Sequence, residues 1–175
     1  RRFPVTCWLR EEHEFDYIVE PDVFHDFFGH VPMLFNPLFA DYMQAYGRGG
    51  LKAEGLAALP WLARLYWYTV EFGLVQQPDG LRIYGSGIAS SFTESVFALD
   101  DPSPNRVRFD LERVMRTRYR IDDFQETYFV IGNLDELLGK RHSGAARGRS
   151  DGSLHLGAES CHNRAKRANL RFVPA

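Results

Sequence analysis

The chain is poor in several features, and each shortage removes a class of protein. Only two of its 175 residues are cysteine, Cys7 and Cys161. Two are too few for a disulfide framework and favour a reducing, cytoplasmic setting. No run of 18 apolar residues occurs, so neither a membrane-spanning helix nor a membrane partner is expected. The opening Arg1-Arg2-Phe3-Pro4 lacks the apolar stretch of a secretory signal. It also lacks an initiator Met, which reads as a fragment. A net charge of −2 gives no cationic excess for nucleic acid. No internal repeat is present, and no Ser/His/Asp or Cys/His arrangement for nucleophilic catalysis. What remains is 45% hydrophobic and 14% aromatic, enough for one globular domain with a substantial core.

The near-neutral total hides an asymmetry. Residues 140–175 hold eight basic side chains and two acidic ones, against 13 basic and 21 acidic before them. Aromatic residues also stop there, with Phe172 the single exception. Residues 1–138 are therefore read as a packed domain and 139–175 as a basic, poorly ordered tail. So little apolar surface cannot offset the entropy of ordering the tail. A solvated extension is favoured over contact with RNA or acidic lipid.

Patterning predicts a mainly α fold with a few short strands, the α+β content being minor. Residues 3–9 read as a strand or an extended segment and 11–14 as a loop. Glu20-Pro21-Asp22 starts a helix that should run through residues 23–28 and stop at Gly29 and Pro32. Asn36-Pro37 starts a second, ending near Gly47, with a glycine-rich loop over 48–55. Residues 60–75 form the longest apolar helical run. A strand over 81–84, a turn at 85–87 and a helix over 88–99 follow, then a loop over 100–105. A helix over 111–117 and strands over 119–121 and 128–131 complete the expectation.

The chemistry concentrates in His25-Asp26-Phe27-Phe28-Gly29-His30. Zinc proteases space two histidines by four, which puts both on one helical face. A spacing of five diverges on a continuing α-helix. Gly29 and Pro32 are expected to end the helix, so that His25 and His30 turn to one point. A capping or core pair is the competing reading. Glu71 stands on the apolar run, with Trp67, Tyr68, Leu74 and Val75 as its helical neighbours and no cation among them. A buried carboxylate there needs an ion pair, a proton or a metal. Two histidines and a carboxylate are the ligand set of non-haem Fe(II) oxygenases, although zinc hydrolases use the same ligand types. Phe27, Phe28, Tyr66, Trp67 and Phe72 are expected to form a dry aromatic pocket beside them, which suits oxidation more than hydrolysis.

Several long motifs in order resemble the pterin-dependent aromatic amino acid hydroxylases. They are residues 1–10, Glu20 to Pro32, Tyr66 to Leu74, Tyr84-Gly-Ser-Gly-Ile-Ala-Ser-Ser91, Tyr119 to Gln125 and Tyr128 to Ile131. The resemblance runs from Arg1 to about Leu138 and lies nearest the bacterial phenylalanine hydroxylating branch. It implies a mainly helical catalytic domain that uses Fe(II), O2 and tetrahydrobiopterin to convert L-phenylalanine to L-tyrosine. It implies His25, His30 and Glu71 as iron ligands. For the substrate it implies Arg10 at the carboxylate, and Pro21, Trp67, Phe72, Gly87 and Ser90 around it. It places Asp26 and Tyr66 toward the pterin, and Ser90 and Glu94 behind the first ring of ligands. Small-molecule substrates, no nucleic-acid or membrane partner and a monomer are the expected associations. The family's catalytic domain extends upstream of Arg1, where its pterin-stacking ring lies, and residues 139–175 depart from its pattern. A frame-shifted end is the expectation for that departure, and an inactive fragment that keeps only metal binding is the alternative function.

Overall fold

The longest apolar run sets the architecture. The computed structural model describes residues 6–15, 18 and 20–139. Helix α3 (Leu59–Tyr66) continues as a π-helical segment, Trp67–Glu71, and ends there. Gly73 then opens strand β1 (Gly73–Gln77), which pairs antiparallel with β2 (Gly80–Ile83). The sequence predicts helix to residue 75. The observed change at 72–73 follows from β1 lying inside a four-stranded sheet, where β-pairing outweighs helix propensity. The sheet order is β2-β1-β4-β3, with β3 (Asn105–Arg108) and β4 (Thr127–Ile131) both parallel to their neighbours. Among the described residues the fold is thus mainly helical around one small mixed sheet.

Side-chain alternation along β1 and β4 divides the core. Leu74 and Tyr128 pack with Ile88 and Ala98, from α4 (Ser86–Ala89) and α5 (Phe92–Asp100). Val75 and Ile131 pack with Phe39 and Tyr42 of α2 (Pro37–Gly55). Phe129 joins Leu65, Tyr68, Val114 and Met115, which brings in α3 and α6 (Leu111–Arg116). The period of two puts successive residues on opposite faces, so helices cover both.

Several local expectations change. Residues 6–10 form no strand, the Trp8 carbonyl accepting from the Val23 N–H at 2.9 Å, and residues 3–5 of the predicted first segment lie outside the described residues. Residues 12–14 form a 3-10 turn. Helix α2 begins as predicted, with the Asn36 side chain accepting from the Leu38 N–H at 3.0 Å. It does not stop at Gly47 but continues to Gly55. Its interior glycines, Gly47, Gly49 and Gly50, cost about 1 kcal/mol each. Burial of Phe39 and Tyr42 on the same helix offsets that at roughly 1.5–3 kcal/mol per side chain. The 85–87 turn is instead the start of α4, and Ser91 caps a separate α5 by accepting from the Glu94 N–H at 3.3 Å. Residues 119–121 form no strand, whereas β3 does. The basic tail lies outside the described residues. No helix among the described residues is long and apolar enough to cross a membrane.

Candidate metal centre

Asp22 organises the entry to the site. It is fully buried and accepts from the His25 N–H at 2.9 Å, capping the first turn. It also accepts from Arg10 Nε at 2.9 Å and Nη2 at 2.8 Å, a two-pronged ion pair. Burial alone raises its pKa, but the guanidinium and the two backbone N–H groups outweigh burial and hold it well below the usual carboxylate range. Arg10 Nη1 donates to the Ser90 carbonyl at 2.6 Å.

From Asp22 the helix does not break at Gly29. Residues His25–His30 are π-helical and run directly into α1 (Val31–Leu34). A π turn holds one residue more than an α turn, because its bonds span i to i+5. That extra residue resolves the spacing of five: His25 and His30 stack on one face without the helix ending. Gly29 lies between them against α4, where a Cβ would come within 2.9 Å of Ser86 Cβ and Ser86 O. Contact that close is available only to glycine.

Glu71 arrives from the second π segment. His25 Nε2 lies 3.1 Å from His30 Nε2 and 3.6 Å from Glu71 Oε2, while His30 Nε2 lies 3.4 Å from Glu71 Oε1. Ligands at right angles around an ion with bonds of about 2.1 Å sit about 3.0 Å apart. Three donors already within 0.6 Å of that spacing fit a single small divalent cation. Burial is the main cause that lowers the pKa of both histidines and raises that of Glu71. Each donor therefore resists charge by itself, which argues against a simple ion pair. Ser86 Oγ donates to Glu71 Oε2 at 2.6 Å, and the Tyr66 hydroxyl bonds the same carboxylate.

Ser90 fixes the tautomer of His25. Its hydroxyl donates to the Ser86 carbonyl at 2.9 Å, so it accepts from His25 Nδ1–H at 2.8 Å. The Nε2 lone pair then faces the other two donors. Asp26 offers a carboxylate near both histidines. However, its Oδ2 already accepts from the Thr6 N–H at 2.7 Å and the Thr6 hydroxyl at 2.8 Å. Glu71, facing both Nε2 atoms, is the better third donor.

A cavity of about 380 Å3 opens beside the donors. Pro21, His25, Tyr66, Trp67, Glu71, Phe72, Gly87, Ser90 and Glu94 all line it. Arg10, Asp26 and His30 do not reach its wall. Phe27 and Phe28, expected in the aromatic pocket, are instead exposed. Turning His25 and His30 inward puts both rings on the opposite face. Tyr119 takes their place, stacked on Trp67 at 4.4 Å between ring centroids. Gln125 accepts from Trp67 Nε1 at 3.1 Å and is buried. Asp22, Ser86, Tyr119 and Gln125 were not singled out from the sequence; each is polar or aromatic in a motif quoted above, but only the fold shows its partner.

Glu94 does not touch a donor; it sits in the cavity wall and accepts from the Tyr128 hydroxyl at 2.8 Å. Burial pushes its pKa from 4.5 up to about 7. A raised acid pKa means stability is full at low pH and falls as the unfolded chain ionises first. Between pH 4.5 and about 7 the loss is roughly 3 kcal/mol. Glu94→Gln should remove that loss, measured as the difference in urea unfolding free energy between pH 4.5 and 7.5. An equal pH difference in parent and variant would refute this assignment.

A family model described as biopterin-dependent aromatic amino acid hydroxylase matches residues 1–147. The chain belongs to this family. The match continues nine residues past Leu138 and includes His25, His30 and Glu71. A phenylalanine-4-hydroxylase of Chromobacterium violaceum is 69% identical over 138 residues, which cover 79% of this chain and 46% of the relative. That of Caulobacter vibrioides is 70% identical over 137 residues, covering 78% and 47%. A crystal structure of the Chromobacterium violaceum enzyme with iron and phenylalanine bound superposes with a TM-score of 0.72 at 67% identity, over 78% of this chain and 49% of that one. Another, with iron(III) and 7,8-dihydrobiopterin, gives 0.74 at 69% identity, over 78% and 50%. The chain therefore spans about half the length of each of these relatives.

Proposed function

We propose that this chain carries the iron-binding part of a tetrahydrobiopterin-dependent monooxygenase that hydroxylates L-phenylalanine to L-tyrosine with O2. The observation that carries the reading is the convergence of His25, His30 and Glu71 within 3.6 Å beside an aromatic cavity. In this reading those three side chains hold Fe(II), which together with the pterin supplies activation of O2. The rest falls to the chain. Trp67 and Phe72, whose rings lie 4.7 Å apart, hold the substrate ring in the cavity and exclude water. Pro21 and Gly87 shape the wall around it. Arg10 spends three of its five N–H groups on Asp22 and Ser90; it stands behind the Ser90 stretch of the cavity wall, and in this reading its other two N–H groups meet a substrate carboxylate from there. Asp26 lies near both histidines and Tyr66 bonds Glu71, and in this reading both serve the pterin. A monomer serving phenylalanine catabolism completes the reading, in a cytoplasmic setting that the low cysteine content supports.

The alternative, an inactive piece that retains metal binding only, is favoured by one fact: the chain covers about half of each relative. Incubation with Fe(II), tetrahydrobiopterin and phenylalanine separates the two. Tyrosine production supports the hydroxylase; one iron per chain without tyrosine supports the inactive piece; no iron uptake refutes both. Ser90→Ala should weaken Fe(II) binding by roughly 10–100-fold, because His25 loses the partner that fixes its tautomer. Circular dichroism of the variant should be unchanged. An unaltered iron affinity would remove Ser90 from the site.

A further inference from the structure

The segments that carry the three donors meet at one residue, Ser86, which opens α4 and is fully buried. Its Cβ and carbonyl oxygen are the atoms that a Cβ on Gly29 would approach to 2.9 Å, so it lies against the π segment between His25 and His30. Its carbonyl accepts from the Ser90 hydroxyl at 2.9 Å and the Ser90 N–H at 3.0 Å. Ser90 in turn holds His25. The preceding residue, Gly85, donates its N–H to Gly73 O at 3.0 Å, just beyond the segment that ends in Glu71. The backbone of Ser86 is thus held against both donor segments at once.

The Ser86 hydroxyl has one proton and two acceptors in reach. Val70 O lies 3.0 Å away and Glu71 Oε2 2.6 Å. A hydroxyl donates to a carboxylate at about 2.5–2.7 Å, and such a bond is roughly twice as strong as a neutral one; about 3.0 Å is the long limit for a hydroxyl donor. The proton therefore goes to Glu71. The last torsion of a glutamate side chain is broad, so nothing within the residue fixes where its two oxygens face. The bond to Oε2 fixes it, and leaves Oε1 3.4 Å from His30 Nε2. The Tyr66 hydroxyl bonds the same carboxylate, but from a turn earlier on the same helical run. Ser86 ties the acid to the element that also holds His25.

We propose that Ser86 is a positioning residue for the metal: its hydroxyl aims the Glu71 carboxylate at both imidazoles, and its carbonyl, through Ser90, aims His25. The assignment rests on the reading of His25, His30 and Glu71 as metal ligands. One short turn of helix then sets two donors against each other in advance. Less ordering is left for the binding step, which raises affinity without adding a ligand.

The rival role is structural, a buried hydroxyl that bonds Val70 O and fills space. Ser86→Ala separates the two, because it keeps the Cβ against Gly29 and the carbonyl toward Ser90 and removes the hydroxyl alone. The Fe(II) affinity of the full chain, measured without air by competition with a chelator, should fall at least about 10-fold. The visible absorption of the Co(II)-loaded chain should change in band position or intensity, because the donors around the ion are rearranged. The circular dichroism and melting temperature of the metal-free protein should stay near parental. Ser95→Ala removes a hydroxyl of α5 that donates to Phe92 O at 2.7 Å, and should match the parent in every measurement. A parental Fe(II) affinity or a parental Co(II) spectrum in Ser86→Ala overturns the assignment and leaves the metal centre standing. A Ser86→Ala protein that loses its helical circular dichroism before metal is added makes the hydroxyl structural and overturns it as well. Failure of the parent itself to take up either metal refutes the metal centre and this assignment together.

Discussion

Glu71→Gln should lower Fe(II) affinity by about 100-fold or more while changing the unfolding free energy of the metal-free protein by less than about 1 kcal/mol. The two halves of this expectation separate the metal ligand from its rival. A structural ion pair loses roughly 3–5 kcal/mol when one partner is removed, because the other charge stays buried and unpaired. Here the imidazoles facing Glu71 are driven toward their neutral forms by burial, and the carboxyl toward its protonated one. Little charge is left unpaired when the amide replaces the acid, and Ser86 can still donate to it. What disappears is the anionic donor facing both Nε2 atoms. Metal titration and urea denaturation on the same samples decide the matter. A large stability loss with iron affinity intact would make Glu71 structural.

Gly85→Ala should cost at least roughly 3 kcal/mol, or prevent folding. A Cβ at this position would stand 2.4 Å from Glu71 O and 2.4 Å from Gly73 N. Both are backbone atoms, one at the end of the π segment and one at the start of β1, so no side-chain rotation relieves the clash. Gly85 N also donates to Gly73 O at 3.0 Å, which fixes the approach. The crowding falls on the very residue that supplies the carboxylate, so any variant that folds should also bind iron poorly. Gly47→Ala is the contrasting case. It is helical with nothing within 4 Å of its Cβ, and should stabilise by about 1 kcal/mol. Thermal unfolding of the two variants should move in opposite directions; a Gly85→Ala protein with parental melting temperature would show that the backbone there can yield.

Much of this protein was legible from residue types in order. The Asn36-Pro37 helix start, the mainly helical class and the family resemblance all came from local chemistry, because caps, prolines and motif spacing act within a few residues. The boundaries that failed were those set by distant partners. Helix α2 outlasted its glycines because its buried face is held by the sheet and α3. The helix over 60–75 gave way to β1 because β2 and β4 claim residues 73–77.

Residue types raised two histidines and one acid as a candidate metal set beside an ion pair or a protonated acid, and the family resemblance favoured the metal. The tertiary structure decided how they meet. Two π segments, an outcome no composition rule reports, turn a five-residue spacing into a shared face and bring Glu71 to it. The same turn moved Phe27 and Phe28 from the expected pocket to the outside, because inward and outward faces of one helix are set together. Ser90, Ser86 and Asp22 acquired their partners only in three dimensions, where hydrogen-bond reach rather than sequence distance determines what a polar group can hold.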